Sequence, residues 1–140
     1  MKKRKYRILV VDDESSVLFT YRVLLEQNGY TTTAVLSSRE AIDAVTREEF
    51  DLLLCDLSLE EGHTGFEVLE QARKTNPAIP CVLLTGYASS DATQRAEQLG
   101  IPVLYKPIEI KEFLDTIPLV LRKRYEQTAP DERAHRPEAS

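Results

Sequence analysis

The chain is predicted to fold as an open α/β sheet of parallel strands, with helices on both faces. Three observations carry that prediction. Short apolar runs alternate with segments of helical periodicity, the pattern of repeated βαβ units. The runs ILVV, LLLC and CVLL are almost continuously apolar, as strands buried on both faces must be; a half-exposed strand would alternate. Each run then ends in a side chain suited to phosphoryl chemistry: Asp12 and Asp13 after ILVV, Asp56 after LLLC, Thr85 after CVLL and Lys106 after VLY. In a parallel sheet these ends share one edge, where open α/β sheets place their ligand sites.

The elements follow in order. After the first strand, a helix is predicted over 15–28, with Val17, Leu18, Tyr21, Leu24 and Leu25 on one stripe and Gly29 as its stop. Residues 30–36 form the second strand. Ser37 and Glu40 have capping-box spacing and open a helix whose apolar face is Ala41, Ile42 and Val45. Residues 51–55 are the third strand. A long loop with Gly62 and Gly65 leads to a helix through Phe66, Leu69 and Ala72, ending before Asn76-Pro77. Residues 81–84 are the fourth strand. The helix over 90–99 offers only Ala92, Ala96 and Leu99 as an apolar face, so it is expected to be the least firmly anchored. It ends at Gly100. The fifth strand, 103–105, turns through Lys106-Pro107 into a last helix with Ile110, Phe113, Leu114, Ile117 and Leu121 on its stripe. Pro118 within it removes one backbone hydrogen bond and predicts a kink.

Composition bounds the rest. With 140 residues, 42% hydrophobic content and a net charge of -5, one globular domain is expected, over 1–126. The remainder, 127–140, holds no large apolar residue that could offset the entropy of ordering, and is expected to be a disordered tail. Cys55 and Cys81 both sit inside apolar runs and are expected to be buried, reduced thiols of a cytoplasmic protein. The basic start, MKKRKYR, is followed by too short an apolar stretch for a signal peptide, and no run is long enough to span a membrane. Overall acidity argues against direct nucleic-acid binding. The five glycines form no Gly-rich phosphate loop, which dismisses a dinucleotide-binding domain.

At the sheet edge, two unit charges about 4 Å apart repel by about 4 kcal/mol at an effective dielectric of about 20, so clustered carboxylates call for a cation. Oxygen-only ligands with positions open to water suit Mg²⁺, whereas no Cys/His set exists for zinc. His63 and His135 are read as solvent-exposed bystanders. A carboxylate beside Mg²⁺ can attack phosphorus and form an acyl phosphate. Asp56 is the best candidate nucleophile, because it stands alone on the middle strand. Lys106 would neutralise phosphoryl oxygens and Thr85 would donate a hydrogen bond to one of them.

The sequences ILVVDDE, LLLCDLSL, LLTGYAS and YKP together resemble the receiver domain of two-component response regulators, over residues from about 7 to 126. The resemblance implies a doubly wound (βα)₅ flavodoxin-like fold with strand order 2-1-3-4-5. It implies that Asp56 accepts a phosphoryl group from a sensor histidine kinase or a histidine phosphotransfer protein. By the same carry-over, Asp13, Asp56 and the Ser58 backbone carbonyl bind Mg²⁺ directly and Asp12 assists through water. Thr85 and Lys106 contact the phosphoryl group, Tyr105 matches an aromatic switch position, and Lys106-Pro107 is expected to be cis. Signalling would then leave by protein contact at the face of the fourth helix, fifth strand and fifth helix, in the manner of a stand-alone receiver, with phosphorylation-dependent self-association a further expectation. Leu119 is expected to be exposed on that face. Ser58 and Tyr87 flank the site and should tune attack by water on the phosphoryl group.

One departure from the family pattern stands out. Leu59-Glu60 replaces the usual Met-Pro after the acceptor, and Gly65 arrives one position late. The resulting loop is longer, more acidic and expected to be mobile. Two other readings compete with a switch that is not itself an enzyme: a nonphosphorylated scaffold, and a phosphatase of the haloacid dehalogenase type. The phosphatase requires an Asp-x-Asp after its first strand, where this chain has adjacent aspartates.

Overall fold

The computed structural model describes residues 5–134, with side chains through residue 123. The strands are β1 (Arg7–Val11), β2 (Thr31–Val35), β3 (Leu52–Asp56), β4 (Cys81–Thr85) and β5 (Val103–Tyr105). The helices are α1 (Ser15–Gln27), α2 (Ser38–Arg47), α3 (Gly65–Thr75), α4 (Ser90–Leu99) and α5 (Ile110–Ala134), with a single 3₁₀ turn at Glu60–Gly62. All strand pairs are parallel, in the order β2-β1-β3-β4-β5, so the predicted strand order is observed.

Register explains why the strand runs are apolar throughout. Leu9, Val11, Leu53, Cys55 and Leu83 face α2, α3 and α4, where they meet Ala41, Val45, Phe66, Leu69 and Ala96. The alternate residues Ile8, Val10, Leu52, Leu54, Val82 and Leu84 face α1 and α5, against Leu18, Leu25, Phe113 and Ile117. Both faces are therefore dry, and side chains of either parity must be hydrophobic. Tyr21 of α1 stacks on Phe113 of α5, ring centroids 4.9 Å apart. β2 pairs only with β1 and keeps partly exposed threonines, as an edge strand does.

Local signals set the helix boundaries. The Ser37 hydroxyl accepts the Glu40 N–H at 3.1 Å, while the Glu40 carboxylate accepts the Leu36 N–H. Thr64 and Ser89 cap α3 and α4 in the same way. Gly100 closes α4 in the left-handed region, at φ 70°. Lys106-Pro107 is cis, as the resemblance implied.

Three expectations need correction. Leu99 and Ile110, assigned to apolar stripes, are 44% and 57% exposed. Leu99 is the last residue of α4 and Ile110 the first of α5, and α4 is anchored chiefly by buried Ala96. α5 runs through Pro118 and continues to Ala134, into the segment expected to be a tail. A helix once nucleated extends from a packed first half, although Pro130, like Pro118, removes a backbone hydrogen bond within it. Residues 135–140, with His135, lie outside the described residues. Among the described residues no helix is long and apolar enough to cross a membrane.

Candidate functional site

The carboxyl ends of β1, β3, β4 and β5 converge as predicted. Asp12 follows β1 and is fully buried, Asp13 beside it is exposed, and Asp56 closes β3 at 7% exposure. One oxygen from each of the three carboxylates falls within a 4.8 Å cluster. Adjacent residues of an extended chain point to opposite sides, which is why only one of the Asp12–Asp13 pair is buried.

Every oxygen of the two buried carboxylates is engaged. Asp12 Oδ1 accepts the Glu14 N–H at 2.9 Å, and Asp56 Oδ1 accepts the Ser58 N–H at 3.1 Å. The two Oδ2 atoms share the ammonium of Lys106, at 2.7 Å from Asp12 and 2.9 Å from Asp56. Burial pushes the Asp56 carboxyl above its ordinary value, against the opposing hydrogen bonds from Lys106 and Ser58. For Lys106, burial disfavours the charge, but its bonds to Asp12 and Asp56 outweigh it and hold the ammonium well above the usual lysine range. The Lys106 ammonium thus supplies counter-charge to Asp12 and Asp56.

Thr85 and Tyr105 close neighbouring strands and are paired in register, and the Lys106 N–H donates to the Thr85 carbonyl at 2.7 Å. The buried Thr85 hydroxyl, however, is turned to Tyr87: it donates to the Tyr87 carbonyl and accepts its N–H. Tyr105 is half exposed at the sheet edge and Tyr87 largely exposed. His63 is exposed and pairs with Glu67 at 2.8 Å, and it is not part of the three-carboxylate cluster.

The loop after Asp56 is tied down, contrary to the expected mobility. Leu57 and Leu59 are buried, Ser58 and Thr64 form an antiparallel bridge, and the Gly65 N–H donates to the Leu57 carbonyl at 2.9 Å. Gly65 is required by proximity: a Cβ there would lie 2.7 Å from the Asp56 carbonyl oxygen and 2.8 Å from Leu83 Cδ2. Sequence reasoning missed two partners, Tyr87 for Thr85 and Glu60 for the amino end of α2. The serine pair at 37–38 was a signal for the second, but its partner is distant in sequence.

The donor set fits a hard divalent cation: clustered carboxylate oxygens from Asp12, Asp13 and Asp56, with exposed Asp13 opening the cluster to water.

Fold and site together define a receiver domain, and the chain belongs to the response regulator receiver domain family, whose model matches residues 8–118. Among curated relatives it is similar to the transcriptional regulatory protein ZraR of Escherichia coli (strain K12), 34% identical over 111 residues, covering 79% of this chain and 25% of ZraR. It is also similar to sporulation initiation phosphotransferase F of Bacillus subtilis (strain 168), 30% identical over 112 residues, covering 79% of this chain and 90% of that protein. The chain thus spans about a quarter of the length of the ZraR relatives it matches. Among solved structures, a CheY-like response regulator receiver domain protein from Methanospirillum hungatei JF-1 superposes with a TM-score of 0.82 at 29% identity, covering 89% of this chain and 99% of that one.

Proposed function

We propose that the chain is a phosphorylation-dependent signalling switch in which Asp56 is the phosphoacceptor. The observation that carries this reading is the Lys106 ammonium shared between Asp12 and Asp56 inside the three-carboxylate cluster. It supports a site built to hold positive charge against the acceptor oxygen. The donor is a phosphohistidine of a sensor histidine kinase or a histidine phosphotransfer protein; similarity to a protein named as a phosphotransferase favours that source. An Asp56 carboxylate oxygen forms a bond to phosphorus as the donor's P–N bond breaks, and the departing imidazole nitrogen takes a proton from water.

Asp13, Asp56 and the Ser58 carbonyl would hold Mg²⁺ directly, with Asp12 acting through water. When bound, the ion offsets charge on the phosphoryl oxygens. Lys106 then exchanges a carboxylate oxygen for a phosphoryl oxygen, and Thr85 leaves Tyr87 to donate to another. That exchange biases the chain between two states, with the half-exposed Tyr105 ring as the moving part. The α4-β5-α5 face is the output surface. Its elements expose large hydrophobic residues: Leu99 of α4, Tyr105 of β5, and Ile110 and Leu119 of α5. A downstream protein, or a second phosphorylated copy, docks there, and Leu119→Glu weakens that contact. The switch occupies residues 1–126 of a cytoplasmic protein, works as a phosphoacceptor and not as a turnover enzyme, and makes no direct contact with nucleic acid or membrane.

Intact mass after incubation with acetyl phosphate tests the proposal. One added phosphoryl group that requires Mg²⁺ and is lost in Asp56→Asn is expected. An unmodified, folded wild type that also releases no phosphate would leave the scaffold reading in its place.

A further inference from the structure

We infer that Glu60 is a positioning residue for the metal-binding loop: by capping the amino end of α2, it fixes the backbone that presents Ser58. The inference rests on the proposed Mg²⁺-dependent acceptor chemistry. It concerns a residue the family pattern does not supply, since Leu59-Glu60 stands where that pattern has Met-Pro.

An acidic loop with an added residue has little core of its own and is expected to wander. Here the Glu60 carboxylate reaches the start of α2. Oε1 accepts the Ser38 N–H at 2.8 Å, and Oε2 accepts the Ser38 hydroxyl at 2.6 Å and the Arg39 N–H at 3.4 Å. Ser37 Oγ accepts the Glu40 N–H, so the amides of residues 38, 39 and 40, which no turn of the helix can satisfy, all have acceptors. A carboxylate at a helix amino end is favoured electrostatically, and its hydrogen bonds are charge-assisted. Ser38 itself is buried, at 2% exposure, while Glu60 is half-buried.

The anchor lies just past Ser58 in the chain. On one side, the Ser58 N–H is held by Asp56 Oδ1; on the other, Glu60 is held by α2. Between them the turn is closed by Leu59 N–H to the His63 carbonyl at 2.8 Å and His63 N–H to the Glu60 carbonyl at 2.9 Å, with Glu61 and Gly62 at positive φ. The Ser58 peptide is therefore held by Asp56 on one side and by the Leu59–His63 turn on the other, and Glu60 ties that turn to α2. Without Glu60, the tie of that turn to α2 is lost, and part of the cost of ordering the Ser58 carbonyl falls on metal affinity.

The test is Mg²⁺ titration calorimetry on the full chain, alongside phosphorylation by acetyl phosphate at saturating Mg²⁺. Residues that orient metal ligands from outside typically change affinity by about 10-fold or more, and Glu60→Ala is expected to weaken Mg²⁺ binding by about that factor while the phosphorylated yield at saturating Mg²⁺ stays near wild type. Glu60→Gln, which keeps one acceptor oxygen, recovers part of the loss. Ser38→Ala, on another element, weakens binding in the same direction, and adds little when combined with Glu60→Ala. A folded Glu60→Ala chain with a lowered unfolding midpoint and unchanged Mg²⁺ affinity overturns the inference and leaves Glu60 a helix cap only. If Glu60→Ala does not fold, unchanged affinity in Ser38→Ala overturns it equally. Wild type that gains a phosphoryl group while these variants keep its affinity sinks this inference alone; wild type that binds no Mg²⁺ and gains no mass sinks the functional reading with it.

Discussion

Thr85 and Tyr87 are bonded to each other in both directions: the Thr85 hydroxyl donates to the Tyr87 carbonyl at 2.6 Å and accepts the Tyr87 N–H at 3.1 Å. A hydroxyl has one proton to give. It cannot serve Tyr87 and a phosphoryl oxygen together, so engagement of the phosphoryl group must release the Tyr87 carbonyl. Amide NMR with beryllofluoride as the phosphoryl mimic is expected to show a large shift at Tyr87 in the wild type. Thr85→Val should still take up the mimic at Asp56 but lose most of that shift; an equal shift in both chains would contradict the coupling.

The Asp56 carboxyl is buried and its ionisation is disfavoured, with buried Asp12 close by. A neutral residue of the same shape removes that penalty, although it gives up one partner of Lys106. In EDTA at neutral pH, Asp56→Asn is expected to unfold a few degrees above the wild type. Added Mg²⁺ should narrow the gap, because only the wild type retains all three carboxylates. A lower midpoint for Asp56→Asn in EDTA would mean that the lysine bond outweighs the burial cost.

Gly65 occupies a position with no room for a methyl group. The Asp56 carbonyl and the Leu83 side chain both lie under 3 Å from where its Cβ would be. Overpacking of this kind typically costs about 1–3 kcal/mol, and Gly65→Ala is expected to lose stability in that range in urea denaturation. Since the clash falls on the acceptor's own backbone, phosphorylation at saturating Mg²⁺ should slow as well. Wild-type rate with lowered stability would show that α3 yields and Asp56 does not.

Both cysteines are buried in the sheet, and burial pushes the Cys81 thiol up to about 12 and Cys55 well above its ordinary value. Thiols react as thiolates, so neither should be labelled by a maleimide at pH 8 in the native state. Unfolding in urea should expose both to rapid labelling. For Cys81, the native-state barrier should persist as pH rises, until the approach to about 12. Rapid labelling of the folded chain at pH 8 would point to local opening of β3 or β4.

The strand positions and the residues at their ends were legible in the sequence because both depend on short-range pattern: a run such as LLLC followed by Asp56 needs no distant partner to be read. Family likeness supplied the strand order, which periodicity alone left open. Other features depended on contacts between remote parts of the chain. The tether of Glu60 to Ser38 crosses 22 residues, so composition suggested a mobile loop where the structure has a pinned one. Helical period placed Leu99 and Ile110 on apolar faces but could not tell that each, at a helix end, is exposed. The two-way bond of Thr85 and Tyr87 is local, yet nothing in the residue types distinguished it from a hydroxyl aimed at Asp56. For α5, the lack of large apolar residues after Thr128 suggested a tail, yet the helix carries on from a well-packed first half to Ala134.

Asp12, Asp56, Thr85 and Lys106 come from the ends of four different strands, and the last of them follows β5. A nascent chain that has emerged only through β4 carries Asp56 and its neighbouring carboxylates but no ammonium to reconcile them. Docking of the short final strand delivers that charge, and with it the whole constellation. The full constellation is thereby tied to assembly of the whole sheet: a chain without β5 holds its acids without their ammonium, and no isolated peptide around Asp56 can stand in for the five strands.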